Sequence, residues 1–527
     1  MQSREPENHL NTYDQVPYPS YPLPQTHPRH LETIATLLGL EPPSSNTCRV
    51  LELGCGNGGN LVPMACSSSH CRFVGIDSSA KQIEIGKRQI ERLELTNIEL
   101  IHQSIEDIDV SFGQFDYILC HGVFSWVSPS VQSDILHLVR DRLVENGVGF
   151  ISFNTYPGWH QRGVIRKMMR YHVDRFQDEE PSARIGRARG LLEFLTRATP
   201  AQQTSYGMLL RENLEQLSRL PDAYLFHEHL EEFNEPIWFL DFCEMLAPVG
   251  LRYLADADFS TMMANFGFNA EARQELNSIA PNLLEKEQYL DFLRNRLFRQ
   301  TLICHDSQRP SYAVGAKQVF KMHIGSRLKS STATVDFSNP LPQEFTTGSG
   351  MSVETTQQIF KAALVVLQGV WPGTIHFDDL LNQAARLLQS SGHSQDMSDA
   401  GFTLASSLLT TYSSTSQSLL EFVCNPPIFA RQATSTPVAC KLTMIQAEHE
   451  HLVSNRRHES VMLSDLERSV IKLLDGKRSV DEVTDLVRSE LLGESSLSEA
   501  HQSVAECIAR LARCALLVKG TAMKFAI

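Results

Sequence analysis

The chain has 527 residues, enough for about three domains, and its 42% hydrophobic content supports ordinary cores. A formal net charge of -14 argues against general nucleic-acid binding, and no apolar run approaches the ~20 residues of a membrane span. Eleven scattered cysteines without a CxxC pair predict reduced thiols, a cytoplasmic location and no metal site.

The polar start, Met1-Gln2-Ser3-Arg4-Glu5-Pro6, does not read as a signal peptide. Residues 1–30 are proline-rich and carry Tyr13, Tyr18 and Tyr21. They are expected to form an ordered arm that folds over a ligand as a lid. Thr26-His27-Pro28 reads as a helix start with Thr26 as N-cap, ahead of an apolar face at Leu31, Ile34, Ala35 and Leu38.

Arg49-Val50-Leu51-Glu52-Leu53 reads as a buried strand, and a helix is expected from Gly58 onward. The glycines of Gly54-Cys55-Gly56-Asn57-Gly58-Gly59-Asn60 let the backbone turn sharply and approach a ligand. Arg72-Phe73-Val74-Gly75-Ile76 is a second strand ending at Asp77, where a carboxylate can hydrogen-bond both hydroxyls of a ribose. The spacing Gly54-x-Gly56-x-x-Gly59 suits a nicotinamide dinucleotide or S-adenosylmethionine (SAM). Glu52 favours SAM, because its carboxylate would repel a pyrophosphate and attract a sulfonium and an ammonium.

Ile98-Glu99-Leu100-Ile101, then 114–120 and 147–153, read as strands three to five, with a helix over about 131–145. This alternation predicts a parallel sheet with helices on both faces and ligands at the carboxyl ends of its strands. Cys55, Asp77, Ser104, His121 and Asn154 fall at such ends. Helices are expected at 161–176 and 182–198. Between His160 and Gly190, eight Lys/Arg face four Asp/Glu, which reads as a solvated face or as a dock for an acidic partner. His227-Glu228 starts a metalloprotease-like pattern, but position 231 is Glu231 rather than histidine, so the pair reads as structural.

In the last third, 366–381 and 472–483 look like a diverged repeat of helix, turn and helix. Short strands follow at 419–423 and 516–518, with a hairpin through Gly520-Thr521. Two winged-helix-like units are expected. Ten acids against nine bases over 461–527 leave no phosphate-binding footprint, so protein contact is the better expectation.

The tract Glu52-Leu53-Gly54-Cys55-Gly56-Asn57-Gly58 closely resembles the first motif of class I methyltransferases. Tyr13-Asp14-x-x-Pro17-Tyr18, 121–127, 152–159 and Asn455-Arg456-Arg457-His458-Glu459 resemble one group of these enzymes, and 224–254 is similar to the methyltransferase regulatory domain. The best-known members of that group are the rickettsial outer-membrane-protein lysine methyltransferases. The resemblance implies a Rossmann-like core followed by a helical middle domain and C-terminal winged-helix-like α+β units. The expected boundaries are an arm at 1–30, a core with helical extension at 31–218, a regulatory domain at 219–305, and winged-helix-like units at 306–425 and 426–527. It also implies SAM as cofactor, held by Tyr13, Tyr18, Glu52, Gly54, Cys55, Gly56, Asn60, Asp77, Ser78, Ser104, Ile105 and His121.

Methyl transfer to a lysine needs an unprotonated amine, and a desolvated aromatic channel lowers its pKa. Phe124, Trp126, Tyr156 and Trp159 follow strands four and five, where such a channel would open, and His121 is a candidate proton acceptor. The Asp/Asn-Pro-Pro-Tyr tract of nucleobase amine methylation is replaced by Cys120-His121-Gly122-Val123. The expected activity is therefore protein-lysine methylation. The alternative is a small-molecule methyltransferase whose extra domains serve oligomerisation, and a homodimer is compatible with either. A non-catalytic SAM-responsive binding protein is a third possibility. On the platform view, deleting 310–527 is expected to spare SAM binding.

Overall fold

The computed structural model describes residues 12–200, 204–262, 268–338, 341–392, 399–414, 419–489 and 496–518. The polar start and the hairpin through Gly520-Thr521 lie outside the described residues.

Seven strands form one mixed sheet in the order β3-β2-β1-β4-β5-β7-β6. They are β1 (Arg49–Leu53), β2 (Arg72–Asp77), β3 (Ile98–His102), β4 (Phe115–Cys120), β5 (Leu143–Asn154), β6 (Leu251–Asp256) and β7 (Phe298–His305). The first five pair in parallel, and β7 runs antiparallel to both β5 and β6. In β1 and β4 nearly every residue is buried, as expected where helices cover both faces of a sheet.

The first helices are α1 (Thr12–Gln15), α2 (Pro28–Leu37), α3 (Leu61–Ser67), α4 (Ala80–Leu93) and α5 (Pro129–Arg142). They are followed by α6 (Gly158–Val173), α7 (Pro181–Ala198) and α8 (Ser205–Ser218). β5 begins at Leu143, earlier than the sequence suggests, because Leu143 pairs with Phe115 before a register shift in β4. The N-cap of α2 is His27, whose Nδ1 accepts the Arg29 N–H at 3.1 Å. Thr26 is instead used by Asn60, described below.

Segment 219–305 does not stand apart from the core, because its β6 and β7 complete the main sheet. Arg299 on β7 is fully buried and ion-paired to Asp291 at 2.8 Å and to Glu287 at 3.1 Å. This locks the sheet edge to the helix Leu283–Arg294. Breaking such a buried cluster from one side would leave an uncompensated charge.

The basic stretch after β5 is largely consumed within the fold. Arg170 donates to the carbonyls of Glu231 and Glu232, Arg187 pairs with Glu179, and Arg189 pairs with Asp222. This favours a structural role over a dock for an acidic partner.

The suspected repeat is visible as two similar arrangements. In the first, helices Gln358–Val370, Phe377–Ser390 and Ala400–Ser414 precede the strand Leu420–Val423. In the second, helices Asp465–Leu473, Val480–Val487 and Leu497–Arg513 precede the strand Leu517–Val518. The first shares one continuous apolar core with the sheet, through Phe345, Leu364 and Leu408, whereas the second has a core of its own around Val470, Ile508 and Leu511. No helix among the described residues is long and apolar enough to cross a membrane.

Candidate active site

The glycine turn after β1 is built by backbone requirements. Gly54 and Gly56 have φ of +71° and +55°, and a Cβ on Gly54 would lie 2.3 Å from Val123 Cγ2. The turn is pinned to the end of β2, with the N–H groups of Gly54 and Cys55 donating to the Ile76 carbonyl at 2.8 and 3.0 Å. Asp77 completes the link, as one carboxylate oxygen accepts the Gly56 N–H and the other the Ser79 N–H, both at 2.8 Å. Each oxygen keeps a second lone pair for a ribose hydroxyl. Burial is the largest influence on this carboxyl and holds its pKa above the ordinary value.

A cavity of about 570 Å³ opens over this turn. Every residue expected to hold the cofactor lines it, from Tyr13 and Tyr18 through Glu52, Gly54, Cys55, Gly56, Asn60, Asp77, Ser78, Ser104 and Ile105 to His121. Trp126 lines it too. Tyr156 and Trp159 do not, which corrects their expected place in an acceptor channel. Trp159 is buried with its ring edge-on to Trp126 at 6.3 Å, while Tyr156 stacks on His160 at 4.2 Å and lies against Trp238. Trp159 therefore backs a wall residue, while Tyr156 packs away from the cavity. The expected proton acceptor is also weak, because burial lowers the His121 pKa to about 4, leaving a neutral and feebly basic imidazole.

The arm residues form the remaining wall. Asp14 accepts a hydrogen bond from Ser79 Oγ at 2.5 Å, and Gln82 Nε2 donates to the Tyr18 carbonyl at 3.1 Å. Tyr13 stacks on His227 at 4.3 Å, and Tyr18 meets the same ring edge-on at 5.6 Å. The imidazole is held between the Val16 carbonyl at 2.6 Å and Glu231 Oε1 at 2.7 Å. His227 therefore joins the middle segment to the arm and also lines the cavity. The sequence signal for it was the histidine-rich tract at 226–229, which has no zinc-binding completion.

Beneath the turn is a buried polar chain that reaches the C-terminal part of the molecule. Asn60 Nδ2 donates to Glu52 Oε1 at 2.7 Å and to Thr26 Oγ1 at 2.9 Å. Asn60 Oδ1 accepts the Leu23 N–H at 3.0 Å and lies 2.8 Å from His458 Nε2. His458 is buried, has φ of +64°, and is kept neutral by burial, which lowers its pKa to about 3. The Leu23 N–H is shared between Asn60 Oδ1 at 3.0 Å and His458 Nε2 at 3.2 Å, so Nε2 sits against both a donor and an acceptor, while Nδ1 has no partner among the described residues. The C-terminal segment thus touches Asn60, a residue that lines the cavity, which argues against the expectation that deleting 310–527 spares SAM binding. We expect His458→Ala to raise the dissociation constant for the ligand of this cavity roughly tenfold, the scale of a net buried hydrogen bond. Calorimetry on the full chain checks this, and unchanged affinity would contradict it.

The chemistry of the cavity discriminates between the two cofactors that the glycine spacing allows. Among its lining residues there is no Lys or Arg to meet a pyrophosphate, while Glu52, Asp77 and Glu106 are all acidic. Glu52 Oε2 is buried without a hydrogen-bond partner among the described residues. Burial chiefly, with Asp77 adding to it, raises the Glu52 pKa to about 8 against the Asn60 hydrogen bond. Such an oxygen calls for a cation, and SAM carries two. Ile105, Val123 and Val131 add apolar wall for an adenine ring. The residues present fit SAM.

Comparison with known proteins agrees. Residues 50–147 match the methyltransferase domain, 221–305 the predicted methyltransferase regulatory domain, and 435–519 the PKMT C-terminal winged helix domain. An uncharacterized protein of Rickettsia prowazekii, RP789, is 32% identical over 502 residues, which cover 94% of this chain and 89% of that protein. The chain belongs to the class I SAM-dependent methyltransferases that carry a methyltransferase regulatory domain. A second Rickettsia prowazekii protein, RP028, is 41% identical over 233 residues, covering 44% of this methyltransferase and 92% of the relative. The solved structure of PKMT2 from Rickettsia typhi in complex with AdoHcy superposes with a TM-score of 0.84 at 28% identity, covering 95% of this methyltransferase and 100% of that chain.

Proposed function

We propose that this methyltransferase moves the SAM methyl group to the lysine side chain of a protein. The observation that carries the reading is the near-complete structural likeness to PKMT2, winged helix included. The reading also draws on the buried link from His458 to Glu52, which makes the C-terminal domain part of the catalytic unit.

SAM supplies an electrophilic methyl on a sulfonium. In the proposed arrangement the unpartnered Glu52 oxygen meets its cationic end, Asp77 takes the ribose, and Ser104 and Ile105 flank the adenine. Tyr18, Tyr21 and Trp126 line the same cavity and offer an apolar path for a lysine stem. Desolvation there favours the neutral amine, and an in-line approach to about 3 Å completes the requirement. No strong general base is needed, and none is assigned to His121.

Glu52 also predicts a pH dependence. Its carboxyl gains a proton on folding because its pKa rises from 4.5 to about 8. The stability it contributes is full below about 4.5 and is lost as the pH rises through about 8. A cationic ligand prefers the ionised form. Raising the pH from about 6 to about 7.5 should therefore tighten SAM binding, with a proton released. Calorimetry in buffers of different ionisation enthalpy reads this release, and affinity flat across that range would contradict the role of Glu52.

The lysine assignment is tested with labelled SAM and lysate proteins whose amines have been blocked by acetylation. Blocking should abolish incorporation, and undiminished labelling of blocked protein would reject lysine.

A further inference from the structure

A second cavity, of about 260 Å³, lies away from the methyl-transfer cleft. It is a partly open pocket lined by the start of α2, the strand Leu420–Val423 and the segment around Arg457. Three guanidinium groups, Arg29, Arg327 and Arg457, and two carboxylates, Glu421 and Glu459, line it.

The two carboxylates are already matched. Arg457 pairs with Glu421 at 2.5 Å, and Arg327 pairs with Glu459. Trp371 supports both cations, with the Arg457 guanidinium 4.4 Å and the Arg327 guanidinium 5.1 Å from its ring. Arg29 is the surplus charge. Among the described residues its side chain makes no hydrogen bond or ion pair. Burial is the main influence on it and lowers its pKa to about 10, with Arg457 and Arg456 pushing the same way against Glu421. A guanidinium offers five donors in a fixed fork that matches a carboxylate or phosphate edge. Arg29 is half-buried, so its unpaired donors face the cavity, where an anion that matches the fork can replace water.

We propose that this cavity is an oxyanion-binding site in which Arg29 takes a carboxylate or phosphate group, with Arg457 and Arg327 fixed beside it as a pre-formed rim. It is independent of the methyl-acceptor assignment. Its rim belongs to α2 and the C-terminal units, and the His27 ring that caps α2 meets His458 edge-on at 5.1 Å.

The test is titration of the full chain with sodium phosphate and, separately, sodium acetate at constant ionic strength, followed by calorimetry and thermal unfolding. One equivalent of at least one of these anions should bind and raise the melting temperature, and preference for one names the source. Arg29→Gln should raise the anion's dissociation constant at least tenfold. Binding of neither anion, or equal binding to a folded Arg29→Gln chain, overturns the proposal. If that variant does not fold, crystals of the unaltered chain soaked in sodium selenate decide. Anomalous scattering within hydrogen-bond reach of Arg29 supports the site, and none there overturns it.

Discussion

Replacing Glu52 by glutamine should raise the SAM dissociation constant about a hundredfold while leaving the ligand-free melting temperature unchanged or slightly higher. A hundredfold change corresponds to about 2.7 kcal/mol, within the range of a hydrogen bond to a charged group. The two halves of the result separate function from folding. In the ligand-free chain the Glu52 carboxyl is already held up at about 8 by burial, so at neutral pH a neutral amide differs from it little in charge. Glutamine keeps the length, and its carbonyl oxygen still accepts from Asn60 Nδ2. What it cannot do is become an anion when a sulfonium and an ammonium arrive. Calorimetry and thermal unfolding on the same preparation read both quantities. A large fall in melting temperature with unchanged affinity would place Glu52 in the scaffold instead.

Gly59→Ala should weaken SAM binding by tenfold or more, through the arm rather than through the ligand. A Cβ at this position would lie 2.2 Å from the Ser20 carbonyl oxygen and 2.5 Å from its carbon, so the obstacle is backbone that cannot rotate away. Gly59 is not in the left-handed region, and the effect is purely steric. The arm must shift, and with it the contacts that Tyr18 and Leu23 make to Gln82 and Asn60. Faster tryptic cleavage within residues 12–27 would accompany the loss. Wild-type affinity and an equally protected arm would contradict this account.

The central fold was legible because its signals are local. The glycine turn, the acidic residue ending β2 and the apolar runs of β1 to β5 each depend on neighbours in sequence. The expected cofactor residues line one cavity because strand ends in a parallel sheet converge on the same edge. What escaped notice depends on partners far away in the chain. β6 and β7 read as part of a separate domain because nothing local reveals that they pair with β5. Tyr156 and Trp159 follow the correct strand, but Trp159 packs behind Trp126 and Tyr156 packs onto His160 and Trp238, away from the cavity. His458 had a signal in the Asn455–Glu459 tract, but its contact with Asn60 spans 398 positions. Thr26 fits the N-cap rule, yet its hydroxyl is worth more to the buried Asn60, and His27 caps α2 in its place.

Following labelled methyl from SAM into a lysate of the source cell, separated into protein and small-molecule fractions, identifies the class of acceptor directly. Label is expected in a protein band, recovered as methyllysine after acid hydrolysis and absent with the Glu52→Gln enzyme at a SAM concentration well below that variant's dissociation constant. Label confined to the small-molecule fraction would contradict this expectation and assign the C-terminal units to assembly rather than to a protein substrate.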